Sequence, residues 1–125
     1  MPLIWSALPD DRPNPLPKLQ TLFEILSQRS FKRGTFTLAS GKTSTYYMDG
    51  RLTTLSADGA KIIGELLFEH LGPLKLDAVG EMTMGADPIV TAVTVESRQG
   101  QPIDGFLVRK EAMGTWHQET GGRQP

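Results

Sequence analysis

Residues 76–109 constrain the fold most. Leu76–Gly80 reads as a short apolar strand ending in glycine, and Glu81–Gly85 as a loop. Asp87-Pro88 then has the form of a helix N-cap followed by proline in the first turn. The helix runs from Pro88 to about Ser97 and carries Ile89, Val90, Ala92 and Val93. Its β-branched residues lower intrinsic helicity, so tertiary burial must hold it. Arg98–Pro102 breaks the chain, and Ile103–Arg109 is the next strand. Strand, loop, helix and strand in this order make a βαβ unit with parallel strands and a right-handed crossover. Ligands of such sheets bind beyond the carboxyl ends of the strands. Here those ends are residues 80–86 and Arg109-Lys110-Glu111. The first offers a flexible loop and a helix N-terminus suited to an anion. The second is either a pair of site cations with a carboxylate or a solvated charged turn.

A second feature precedes this unit. Phe36–Arg51, FTLASGKTSTYYMDGR, alternates, turns at Ser40-Gly41-Lys42, and alternates again, which predicts a β-hairpin. Its tip is rich in donors. Tyr46 and Tyr47 point to opposite faces of a strand, so at most one is core on a one-sided sheet. Both a plain surface hairpin and a ligand-binding hairpin fit these residues.

Met1–Pro17 holds five of the nine prolines and reads as an irregular arm with a short hydrophobic anchor at Leu3-Ile4-Trp5. Lys18–Gln28 follows with Leu19, Leu22, Phe23, Ile25 and Leu26 at amphipathic helical spacing, and Ser30–Gly34 ends that helix. Leu52–Leu55 is expected to continue the extended region after the hairpin. Ser56 is then a candidate N-cap for a helix over 57–71, with Ile62, Ile63, Leu66, Leu67 and Leu71 inward and Gly72-Pro73 as the stop. His70, in the last turn, is expected to be a solvated partner of the helix C-terminus.

Composition narrows the function classes. The 125 residues suit one domain with a modest core. A net charge of −1 gives no broad surface for nucleic acid. There is no cysteine, which excludes disulfides and thiolate catalysis, and the two histidines lack ligand spacing for zinc. No apolar run approaches the roughly 18 residues of a membrane span. The N-terminus lacks the basic and apolar regions of a secretory signal, so a cytoplasmic location is expected.

Three segments in order, FTLASGKTSTYYMDGR, VGEMTMGADPIV and FLVRKEA, with helices between them, resemble orotate phosphoribosyltransferase over residues 19–114. The resemblance implies a partial type I phosphoribosyltransferase fold, α/β, with an N-terminal helix and hairpin followed by the βαβ unit, later strands missing. It implies transfer of phosphoribosyl from 5-phosphoribosyl 1-diphosphate to orotate with magnesium, giving orotidine 5′-phosphate in pyrimidine synthesis. It also implies a homodimer, in which a mobile loop of one subunit closes over the other's site. By the same resemblance, Lys42, Ser44, Tyr46 and Tyr47 form the orotate-side wall, with an aromatic face on the flat pyrimidine. Thr83 and Gly85 belong to the loop that approaches the diphosphate, and Arg109 and Lys110 start the mobile loop whose cations neutralise it. No residue is assigned as catalytic nucleophile or metal ligand.

The chain departs from the family pattern in four places. Ala39 stands where many members have lysine before Ser-Gly, with Lys42 nearby. Glu81 puts a carboxylate near a polyanion unless it points away. Met113 stands where the family has lysine. The later strand with two acidic residues and a Thr-Gly-rich turn, which cradles the ribose 5-phosphate, has no counterpart. The resemblance fades after Gly114. Codons from Gly114 onward, read one base on, permit Gly-His-Gly-Thr-basic-basic-Leu, the continuation of the family loop. Residues 18–114 are therefore expected to be an incomplete phosphoribosyltransferase domain and 115–125 an out-of-frame tail. The chain alone is then expected to be inactive. A non-catalytic phosphoribosyltransferase-like fragment and a generic small-molecule-binding α/β domain are the alternatives.

Overall fold

The computed structural model describes residues 13–110. The anchor at Leu3-Ile4-Trp5, Glu111, Met113 and the 115–125 tail lie outside them. The first helix, α1, spans Leu16–Ile25. Asn14 Oδ1 accepts from the Leu16 N–H at 3.1 Å, and a proline occupies the first turn. A wider turn, Leu26–Ser30, prolongs it, and the Phe31 N–H donates five residues back to the Leu26 carbonyl. Ser30 is thereby buried, and its hydroxyl meets that of Thr53 at 2.6 Å. This packing delays the expected break, so Phe31–Gly34 lie in a strand.

Strands β1 (Phe31–Thr37) and β2 (Thr43–Met48) form the antiparallel hairpin. The register pairs Lys32 with Tyr47, Arg33 with Tyr46 and Phe36 with Ser44. Three residue steps on β1 from Arg33 to Phe36 oppose two on β2, so β1 carries a bulge, where Gly34 adopts φ +152°. At the tip, Leu38 N–H donates to the Lys42 carbonyl at 2.8 Å, and Gly41 takes φ +85°.

The expected extension over 52–55 is absent. A short helix, α2 (Arg51–Thr54), stands there instead. Asp49 explains it: its Oδ1 accepts from the Arg51 N–H at 3.1 Å, and its carbonyl accepts from Leu52. Such a local turn by an aspartate side chain starts the helix.

Helix α3 (Ala57–Leu71) has the bounds that the sequence indicates. The Ser56 hydroxyl accepts from Gly59 N–H at 3.0 Å and donates to the Thr53 carbonyl at 2.7 Å. Ile62, Ile63 and Leu66 form the buried cluster, and Leu22, Ile25, Leu67 and Ile89 pack against it. The chain leaves through a 3₁₀ turn, Gly72–Leu74, and the left-handed residue is Lys75 at φ +57°, not Gly72.

Strand β3 (Ala78–Met82), helix α4 (Asp87–Glu96) and strand β4 (Asp104–Val108) complete the βαβ unit, with β3 and β4 parallel. β3 begins two residues later than expected and includes Glu81 and Met82. Ser97 ties the crossover: its hydroxyl donates to the Thr94 carbonyl at 2.7 Å and accepts from Ile103 N–H at 2.9 Å. α3 and α4 touch closely, with Gly64 against the Ala92 backbone. Lys61 on α3 reaches Glu96 Oε2 at 3.2 Å. Among the described residues β4 pairs only with β3, and Phe106, Leu107 and Val108 stay about half exposed.

Candidate functional site

The carboxyl ends of the parallel strands build the site. Thr83 N–H donates to the Val108 carbonyl at 2.9 Å, so the ladder runs one residue past β3 before the loop begins. Four residues later α4 starts. The sequence suggests Asp87 as its N-cap, but the cap position is Ala86 and Asp87 is the first helical residue. Its carboxylate turns back instead, and Oδ2 accepts the Thr83 hydroxyl at 3.0 Å. The other oxygen, Oδ1, is buried without a hydrogen-bond partner.

A cleft of about 350 Å³ opens there, lined by Thr83, Met84, Asp87, Arg109 and Lys110. Three of the four residues indicated for the diphosphate end thus share one cleft. Gly85, the fourth, lies on the same loop, and a Cβ added to it would meet nothing within 4 Å. Asp87 also borders the groove between α4 and β4 and the one between α3 and α4, so it stands where three depressions meet. Sequence reading missed it as a site residue. The signal was the four-residue spacing from Thr83, which brings a hydroxyl and a carboxylate to the two ends of one short loop.

Glu81 belongs to the strand rather than the loop. It shares the less exposed side of β3 with Val79, and its Oε1 is buried without a partner. It is not among the residues lining the cleft.

The hairpin residues occupy the other sheet. Tyr46 stacks on Phe31 with centroids 5.8 Å apart and planes inclined by 24°, and the Arg33 guanidinium lies 5.8 Å from the Phe31 centroid. Tyr47 meets Phe36 at 5.7 Å. Each tyrosine thus has an aromatic neighbour, and neither is core: Tyr46 is 55% and Tyr47 42% exposed. Ser44 is half-buried, and its hydroxyl accepts from the Tyr46 N–H at 3.3 Å. Lys42 is exposed at the tip. None of these four lines the strand-end cleft.

His70 is half-buried and borders an apolar groove, where the sequence suggested a solvated side chain. Among the described residues no group of three or more His, Asp or Glu is arranged to hold a metal. No helix among them is long and apolar enough to cross a membrane.

Comparison with known proteins bears on this arrangement. No family model matches the chain. The orotate phosphoribosyltransferase of Synechocystis sp. is 47% identical over 96 residues, 76% of this chain and 48% of that protein. The crystal structure of Mycobacterium tuberculosis orotate phosphoribosyltransferase with Fe(III) dicitrate superposes with a TM-score of 0.70 at 38% identity, covering 78% of this chain and 55% of that one. The chain is a partial-length homologue of orotate phosphoribosyltransferases. Its described fold is that of the type I phosphoribosyltransferases. The chain spans about half the length of the curated relatives that it matches. The Mycobacterium tuberculosis enzyme has also been solved with 5-phospho-α-D-ribosyl 1-diphosphate, with a TM-score of 0.66 at 38% identity over 78% of this chain and 57% of that one.

Proposed function

We propose that the chain carries the diphosphate and orotate walls of an orotate phosphoribosyltransferase site. The reaction joins a ring nitrogen of orotate to ribose C1 as the bond from C1 to the diphosphate oxygen breaks. The electron pair leaves on pyrophosphate, so catalysis needs cations where that charge develops. The observation that carries the reading is the convergence of Thr83, Arg109 and Lys110 on one cleft at the strand ends, beside the start of α4. Arg109 and Lys110 supply charge-assisted donors to the leaving diphosphate, and the Thr83 hydroxyl is fixed beside them by Asp87. The small residues Gly85 and Ala86 let the loop backbone come close to phosphate oxygens. Tyr46 or Tyr47 offers a π-face to the planar pyrimidine, with Ser44 and Lys42 as nearby polar partners. Magnesium, brought on the diphosphate substrate, would offset part of its charge, and Arg109 and Lys110 would neutralise the rest.

The same reading makes the enzyme a cytoplasmic homodimer of pyrimidine synthesis. It also makes this chain nearly inactive alone, because among the described residues there is no acidic strand with a ribose-phosphate cradle. Transition-state donors of that kind are worth roughly 10²–10³ each in rate. The test is orotate consumption with magnesium and 5-phosphoribosyl 1-diphosphate, run beside a full-length relative. Turnover at least several hundredfold below the relative is expected, and comparable turnover contradicts the inactivity of the chain.

A further inference from the structure

An apolar groove between α1 and α3 has no part in the proposed reaction. Its volume is about 420 Å³. Leu19, Leu22 and Leu26 form one wall, and Ile63, Leu66 and Leu67 the other. Among the described residues lining it, only Thr54 and His70 have polar side-chain atoms. Leu19, on α1, is 45% exposed. Removing apolar surface of this kind from water is favourable roughly in proportion to its area.

We propose that this groove receives the chain's own Leu3-Ile4-Trp5, so that the N-terminal arm acts as a strap holding α1 against α3. Three observations single out this occupant. Pro15 itself lines the groove, so the preceding residues leave the body at its edge. The arm brings three consecutive large apolar side chains in Leu3, Ile4 and Trp5, separated from Pro15 by a stretch that includes the charged Asp10, Asp11 and Arg12. The ten residues from Trp5 to Pro15 reach up to about 33 Å when extended. The lining of α3 from Ile63 to His70 needs only about 10 Å at the helical rise. Prolines at 2, 9, 13 and 15 already restrict the arm, which lowers the entropy lost on docking. A tethered segment also acts at an effective concentration on the order of millimolar, which favours it over a second copy.

The test uses the full chain with Trp116→Phe, which leaves Trp5 as the single indole. Its emission is expected to be blue-shifted relative to the same chain in urea, and shielded from iodide. A roughly hundredfold dilution should leave both readings unchanged, because mass action weakens only a bimolecular contact. Adding Ile4→Asp, in the arm, or Leu19→Asp, in the groove wall, should shift the emission to the red and restore quenching. Circular dichroism checks that the helices persist in each. Trp5 quenched as freely as in urea overturns the proposal. So does shielding that survives both substitutions. Shielding lost on dilution also overturns it, and assigns the groove to a second copy of the chain.

Discussion

The Thr83 hydroxyl donates to Oδ2 of Asp87 at 3.0 Å, joining the two ends of the loop that walls the strand-end cleft. A carboxylate beside the proposed diphosphate site would ordinarily weaken binding. Here one of its oxygens is committed to the loop hydroxyl, and the cations Arg109 and Lys110 line the same cleft. The bond ties the two ends of the loop together across residues 84–86.

Asp87→Ala leaves the Thr83 hydroxyl without this acceptor and should lower stability by about 1–3 kcal/mol. Asp87→Asn keeps an accepting oxygen and should retain more than half of that. Urea unfolding midpoints measure both. Equal losses would mean that this hydrogen bond does not hold the loop.

Gly64→Ala should separate α3 from α4. A Cβ at Gly64 would stand 2.8 Å from the Ala92 carbonyl oxygen, and a backbone atom cannot swing aside. Overpacking of this kind costs roughly 1–3 kcal/mol. A lowered urea midpoint with an unchanged slope is the expected result.

Lys18 on α1 pairs with Glu69 on α3. The hydrogen bond to Glu69 raises the lysine pKa above its ordinary 10.5, against a smaller lowering by burial, and the fields of Glu69, Glu65 and Glu96 add to the rise. A raised value in the fold means stability that is fully present below pH 10.5 and lost as pH climbs through the folded value. The pair is solvent-accessible, so its worth is about 1 kcal/mol or less. The parent should exceed Lys18→Met in urea midpoint below pH 10.5, and the gap should close well above it. A gap that widens with pH would refute the pairing.

Much of this fold is legible in the sequence where local chemistry and burial agree. Ser56, the apolar spacing after it and Gly72-Pro73 mark α3 to the residue. The parallel unit follows from its order of elements, and the strand-end rule leads to the cleft that gathers Thr83, Arg109 and Lys110. Misreadings arise where a side chain serves the backbone out of pattern. Asp49 starts α2 where β-formers suggested extension. Ser30 is pulled inward by Thr53, so the first helix ends in a wide turn and β1 starts early. Glu81 hides the length of β3, because a carboxylate on the less exposed side of a strand looks like loop. Asp87 has the form of a cap and is a loop tether instead. The hairpin tyrosines are exposed on both faces, so alternation alone does not say which one meets a ligand.

The most direct measurement is a calorimetric titration of the chain with 5-phosphoribosyl 1-diphosphate and magnesium, repeated on the double variant Arg109→Ala and Lys110→Ala. Each charge-assisted contact is worth about 1.5–3 kcal/mol, so loss of the pair should weaken binding by roughly a hundredfold or more. Saturable binding by the parent that is lost in the variant is the predicted result. No binding by the parent, or equal binding by both, would contradict the assignment of this cleft to the diphosphate.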